Sequence, residues 1–291
     1  MAANLDRAGF EVHVWNRSPE RARELAKRSG VQVARTALEA ARAAQATITM
    51  VVDGPDVEAV LFGPNSAADG MEPGHLCIDM STIAPHAAVA IGERLERSGI
   101  DFLDAPVTGS KPRAEDGTLT IIVGGEPGAL ERARPLFEAM GELIVHVGTR
   151  GKGQVVKLLN NTVAAINAAG LAQALALGRE LGADLEAAVA VMGSGSAGST
   201  ILDLKSAPML EHDFEPLFKL EHMLKDVRHC LDAAGDSRAA FSLASEAERM
   251  YAKAADCGPE GRDFAAVVVV AEEEIPPRPK GAGFDVAQEN P

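Results

Sequence analysis

MAANLDRAGFEVHVWNRS, residues 1–18, reads as a helix that runs straight into the strand EVHVW (11–15) and from there into a polar turn. From this point to about residue 148, short runs rich in Val and Ile alternate with stretches rich in Ala, Arg and Glu. Strands are expected at ITMVV (48–52), LCIDM (76–80), DFLDAPV (101–107), TIIVGG (120–125) and LIVHVG (143–148). Helices are expected at PERARELAKRS, VEAVLF, APHAAVAIGERLERS and GALERARPLFEAM. Such alternation argues for βαβ units on a parallel sheet, because a crossover helix is what returns the chain to the same end of the sheet.

Against that pattern the opening is incomplete. A Rossmann-type dinucleotide-binding domain starts with a strand, a GxGxxG turn and a helix whose N-terminus holds the pyrophosphate. Here only the helix is legible, so roughly 20 residues of a ~30-residue unit are missing. The missing strand belongs in the middle of the 3-2-1-4-5-6 sheet, and its two neighbours are expected to lack partners on their facing edges. The reading taken is a start set too late, at a Met inside the first helix; the alternative is a damaged cofactor site.

After Gly153 the texture changes. QVVKLLNNTVAAINAAGLAQALALGRELG has no Pro, and its apolar residues recur at helical spacing over about eight turns, as in a buried spine. LEAAVAVM, EHMLKDVRHCLDAA and FSLASEAERMYAKAA add further helices without a strand pattern. The expected organisation is an α/β Rossmann-type domain over 1–150, an all-helical domain over 151–272 that starts with the long helix, and a disordered Pro- and Gly-rich tail over 273–291.

Composition narrows the function. With 28 Lys+Arg against 42 Asp+Glu the formal charge is −14, which argues against a nucleic-acid partner. Cys77, Cys230 and Cys257 are odd in number and lack a CxxC spacing, so neither a disulfide framework nor a zinc site is suggested. His222 and His229 stand seven apart with no third ligand, and no metal is expected. The N-terminus has no secretory pattern and no purely apolar run approaches the ~20 residues of a membrane span, so a cytoplasmic protein without a membrane partner is expected.

Over about residues 1–270 the chain resembles the β-hydroxyacid dehydrogenase family, which includes 3-hydroxyisobutyrate dehydrogenase, tartronate semialdehyde reductase and glyoxylate/succinic semialdehyde reductase. The resemblance rests on MAANL, on DMSTI (Asp79 to Ile83), on DAPVTGS (Asp104 to Ser110) followed by GTLTIIVGG, on GKGQVVKLLNN (Gly151 to Asn161) and on FKLEHMLKDV (Phe218 to Val227). It implies hydride transfer between a nicotinamide cofactor and a small β-hydroxy acid or its semialdehyde or keto form. Asn16, Arg17 and Ser18 end the strand where an NAD-specific fold carries an acid for the ribose hydroxyl; Arg17 instead suits a 2′-phosphate, so NADP(H) is expected over NAD(H).

The family's catalytic lysine falls on Lys157. An ammonium on the reacting oxygen donates a proton in reduction and, once neutral, accepts it in oxidation. With a free pKa of about 10.4, it needs apolar neighbours to bring it towards neutrality. Asn161 lies four residues on, on the same helical face, to fix the lysine or the substrate. The resemblance gives Thr82 a cofactor contact and gives Thr108, Gly109 and Ser110 the substrate carboxylate, although relatives often carry Ser-Gly-Gly there. Phe218, Lys225 and Asp226 match residues that close over cofactor and substrate. A homodimer or homotetramer is expected from the apolar spine. Two other readings stay open: an imine reductase of the same fold, against which Lys157 speaks, and a non-catalytic oligomerisation or binding module that has lost the cofactor.

Overall fold

The computed structural model describes residues 1–275, and the chain divides into two compact units after Asn160. The N-terminal unit runs α1 (Ala2–Arg7), β1 (His13–Val14), α2 (Pro19–Ala26), β2 (Gln32–Val33), α3 (Ala37–Arg42), β3 (Ala46–Thr49), α4 (Gly54–Phe62), β4 (Leu76–Asp79), α5 (Pro85–Glu96), β5 (Asp101–Asp104), β6 (Val107–Thr108), α6 (Ser110–Asp116), β7 (Leu119–Gly124), α7 (Pro127–Glu138) and β8 (Gly141–Gly148). The long helix α8 (Lys152–Glu180) carries the chain from one unit into the other. Then follow α9 (Leu185–Ser194), α10 (Thr200–Glu211), α11 (Leu220–Ala233), α12 (Ser242–Asp256) and α13 (Val267–Glu273).

The strands form two sheets. β1 pairs in parallel with β2, and among the described residues with nothing else. Among the described residues β3 pairs only with β4, so β1 and β3 each have one open edge. In the larger sheet β3, β4 and β5 are parallel. The expectation of a parallel sheet fails beyond that: β7 runs antiparallel to β5 and to β6, and only β8 returns parallel to β7. The reason is the link between β6 and β7, residues 109–118, shorter than the dozen or more residues that a parallel crossover needs.

Side chains that alternate along β4 and β5 fill cores on both faces of the sheet. Ile78 and Leu103 pack with Leu5, Leu119, Ile121 and Phe137 on one side. Cys77 and Phe102 pack with Val57, Leu61, Ile91 and Leu95 on the other. In the C-terminal unit Ala165, Ala168, Ala172 and Leu175 of α8 meet α11, α12 and α13 in a separate core. By length and mean hydropathy α8 is apolar enough to cross a membrane, but half of its most apolar stretch is buried in the protein, as in a core helix. The tail expected over 273–291 lies outside the described residues from 276 onward, and Glu273 closes α13.

Candidate active site

The carboxyl ends of the three parallel strands form a row in register: Thr49, Asp79 and Asp104, each the last residue of its strand. Ligands of open α/β sheets bind beyond such ends. Asp79 is fully buried, and its Oδ1 accepts from the hydroxyls of Thr49 and Ser81, both at 2.7 Å. Burial raises its carboxyl to about 6, against the pull of these donors and with a smaller push from Asp104. Ser81 Oγ also accepts the Val51 N–H at 2.9 Å, which ties the loops after β3 and β4 together. Thr82 comes next, half-buried on the β4 loop.

Asp104 reaches the start of α8. Its Oδ1 accepts from Gly151 N at 2.7 Å and its Oδ2 from Gln154 N at 3.0 Å, so the carboxylate takes up N–H groups that a helix start leaves without partners. Burial raises the Asp104 carboxyl as well, opposed by these same N–H groups. Gln154, fully buried, donates from Nε2 to Ser81 O at 2.9 Å and accepts the Ile83 N–H on Oε1 at 3.0 Å. One turn further along α8 stands Lys157, buried. The structure thus brings the Lys157 helix and the Thr82 loop to one place.

The turn at 108–110 follows Asp104 by four residues. Gly109 has φ +131° and Ser110 has φ +58°, a left-handed pair in which a non-glycine residue is uncommon. Consecutive residues of this kind make backbone N–H groups available to an anion. A Cβ at Gly109 would meet Arg113 at 2.8 Å, so small size is required there too.

At the end of β1, Asn16 Oδ1 accepts the Ser18 N–H at 2.8 Å, and Ser18 stands just before α2 with Pro19 at its first position. The Arg17 side chain is 85% exposed, with Nη1 3.4 Å from Asp56 Oδ1. Trp15, Asn16, Arg23, Ala34 and Arg35 line a groove of about 410 Å³. An aromatic wall with arginines beside it suits the adenosine end of a dinucleotide.

The other residues singled out belong to the C-terminal unit. Asn161 Nδ2 donates to Asp226 Oδ2 at 2.6 Å, and Lys225 Nζ lies 2.8 Å from the other oxygen. Asp226 is therefore buried between two partners. Phe218 packs edge-on against Phe264 and His222, with ring centres 6.1 and 5.9 Å apart. Its N–H donates to Asp263 Oδ2 at 3.1 Å, and Asp263 also holds Lys205 Nζ at 2.7 Å in an ion pair with both side chains buried. The roles of Asp79, Asp104, Gln154, Lys205 and Asp263 escape a reading of the sequence, although the first three stand inside its motifs. Most of their partners lie tens of residues away, and only the glycines of GKG and IVGG hint at a close approach.

Residues 1–148 match the NAD binding domain of 6-phosphogluconate dehydrogenase, and residues 151–271 match the NAD-binding domain of NADP-dependent 3-hydroxyisobutyrate dehydrogenase. The chain is similar to 3-hydroxyisobutyrate dehydrogenase of Pseudomonas aeruginosa, 36% identical with 92% of each chain covered. It is also similar to 2-hydroxy-3-oxopropionate reductase of Escherichia coli, 35% identical over 94% of this chain and 92% of that one. The structure of Mycobacterium tuberculosis 3-hydroxyisobutyrate dehydrogenase with L-serine superposes with a TM-score of 0.83 at 32% identity, covering 92% of this chain and 93% of that one. With the lysine helix and the β4 loop joined at the strand ends, and with both domains matched along their length, the chain belongs to the β-hydroxyacid dehydrogenase family of NAD(P)-dependent oxidoreductases.

Proposed function

We propose that the protein uses NADP(H) to interconvert a small carboxylate-bearing hydroxy acid and its semialdehyde or keto form, with Lys157 as the general acid and base. One observation carries the reading: Lys157 is buried one turn beyond Gln154, whose side chain holds the peptide groups on both sides of Thr82. The bound nicotinamide supplies or takes up the hydride. Lys157 Nζ gives the proton to the carbonyl oxygen in reduction and takes it from the hydroxyl in oxidation. Asn161, one helical turn on, orients groups at that centre. The backbone and hydroxyls of Thr108, Gly109 and Ser110 receive the substrate carboxylate. Asn16, Arg17 and Ser18 hold the 2′-phosphoribose, Thr82 and Phe218 pack on the cofactor, and Lys225, kept in place by Asp226, adds positive charge towards anionic ligands.

The retained lysine and the likeness to hydroxyacid dehydrogenases favour this reading over an imine reductase and over a binding module. The relative solved with L-serine supports a small hydroxy acid as the substrate class. A homodimer or homotetramer is supported by the C-terminal unit. α9 buries none of its residues, although LEAAVAV is apolar, and Val163 and Leu177 of α8 and Leu181 just beyond it are 58, 52 and 42% exposed in the single chain. Three free thiols, with Cys77 buried, are consistent with the reducing cytoplasm.

The test is turnover with NADPH across matched aldehydes with and without a carboxylate two bonds from the carbonyl. The expected result is turnover of carboxylated aldehydes only, with KM raised about tenfold or more by Gly109→Val, the loss of roughly one charge-assisted hydrogen bond. Equal turnover of the uncarboxylated partners would overturn the substrate class.

A further inference from the structure

The start of α8 is held by two buried side chains, Asp104 and Gln154. The Asp104 carboxylate sits between Gly124 and Gly153, so tightly that a Cβ at Gly153 would come within 2.7 Å of Oδ2 and one at Gly124 within 2.6 Å of Oδ1. Neither glycine has a positive φ that would require glycine, so close approach is the reason for both: to the Asp104 carboxylate and the backbone of Gly153 at Gly124, and to the Asp104 carboxylate and the backbone oxygens of Asp104 and Ile122 at Gly153. From that seat Asp104 receives the N–H groups of Gly151 and Gln154. Gln154 completes the arrangement: its backbone N–H goes to Asp104, and its side-chain amide spans from Ser81 O to Ile83 N. The carbonyl and N–H on either side of Thr82 are thus satisfied by a residue three positions before Lys157 on one helix. Ser81 is in turn fixed by Asp79 and by Val51 N.

We infer that Asp104 and Gln154 are positioning residues which set Lys157 against the Thr82 loop, so that the proton donor and the cofactor-facing loop hold one relative placement through the reaction. The inference rests on the proposed role of Lys157. Gln154 touches neither substrate nor cofactor in this scheme and acts through the helix on one side and the loop on the other. Displacing a catalytic group by about 1 Å lowers rate by about 10²-fold while leaving ligand contacts largely in place. The amide is needed in one orientation, with the NH₂ towards Ser81 O and the oxygen towards Ile83 N. A neutral carboxylic acid in its place provides the same donor and acceptor, whereas a carboxylate faces the Ser81 carbonyl with no proton to donate.

The experiment compares wild type, Gln154→Leu, Gln154→Glu, Asp104→Asn and Lys157→Met in the full chain, with folding of each checked by thermal unfolding. The readouts are NADPH affinity by fluorescence, kcat and KM from pH 5.5 to 8.5. Gln154→Leu is expected to lower kcat about 10²-fold with the NADPH Kd within about threefold of wild type. For Gln154→Glu, the kcat ratio to wild type should climb as pH falls and the buried glutamate takes up its proton, a trend that a merely structural role would not produce. Asp104→Asn should lower kcat in the same way, with no recovery at low pH. A folded Gln154→Leu enzyme with kcat within about threefold of wild type, or a Gln154→Glu ratio flat across the pH range, overturns the inference while Lys157 keeps its role. If Lys157→Met turns over as wild type does, the underlying reading falls and takes this inference with it.

Discussion

Replacing Arg17 with Ala should separate the two nicotinamide cofactors. The Arg17 side chain is 85% exposed and its nearest partner is Asp56, at 3.4 Å. A 2′-phosphate accepting from this guanidinium gains a charge-assisted hydrogen bond, about 1.5–3 kcal/mol. From that is subtracted the exposed pair with Asp56, at most about 1 kcal/mol. The net of about 0.5–3 kcal/mol corresponds to a factor of about 2 to 150 in Kd. Titrations of NADPH and NADH followed by fluorescence should show NADPH weakened by that factor and NADH changed by no more than about twofold, because NADH has no phosphate at that position. Asp56→Asn should act in the opposite direction, tightening NADPH by up to about fivefold, the full worth of the exposed pair. Arg17→Ala weakening both cofactors equally, or neither, would refute the reasoning and move the phosphate to Arg23 or Arg35 at the neighbouring groove.

Three further outcomes follow from the structure. Lys205→Met leaves the buried Asp263 carboxylate with only the N–H groups of Leu217, Phe218 and Ala265, and should destabilise the C-terminal unit by about 3–5 kcal/mol in urea unfolding, with part of the loss recovered by Lys205→Met/Asp263→Asn. Because burial raises Asp79 to about 6, the folded state binds its proton more tightly than the unfolded chain, and stability from this group is lost as pH rises through 6. The loss between pH 5 and pH 8 is about 1.4 kcal/mol, so Asp79→Asn should flatten the pH dependence of the urea midpoint by that amount, and an unchanged slope would rule the group out. Charging the exposed stripe of α8 and α9 with Val163→Glu and Val191→Glu should shift the mass seen by light scattering to a single chain; an unchanged mass would move the interface elsewhere.

Long, strongly periodic elements were the legible ones. α8 shows in its spacing because Ala165, Ala168, Ala172 and Leu175 recur on one face, and β4 (LCID) and β7 (LTIIVG) show as short apolar runs because they are buried on both sides. β2 and β6 have only two residues each and α3 only six, too few for a period to register. The reversal of β7 is written in the length of the 109–118 link and not in the strand itself. α10 hides its inward face because that face carries Lys205, whose partner is 58 residues away, and because Pro208 interrupts the helical texture. The site divides in the same way. Lys157, Asn161 and the 108–110 turn take their roles from their motifs, whereas Asp104 and Gln154, inside the same motifs, acquire theirs only through hydrogen bonds across 47 to 73 residues.

Whether Lys157 moves the proton is read from the rate of NADPH oxidation by a small carboxylated aldehyde in wild type and in Lys157→Met, at saturating cofactor. Loss of a general acid predicts a fall in kcat of about 10²–10⁴-fold with NADPH affinity retained. Turnover by Lys157→Met at the wild-type rate, with the same pH dependence, would contradict the account.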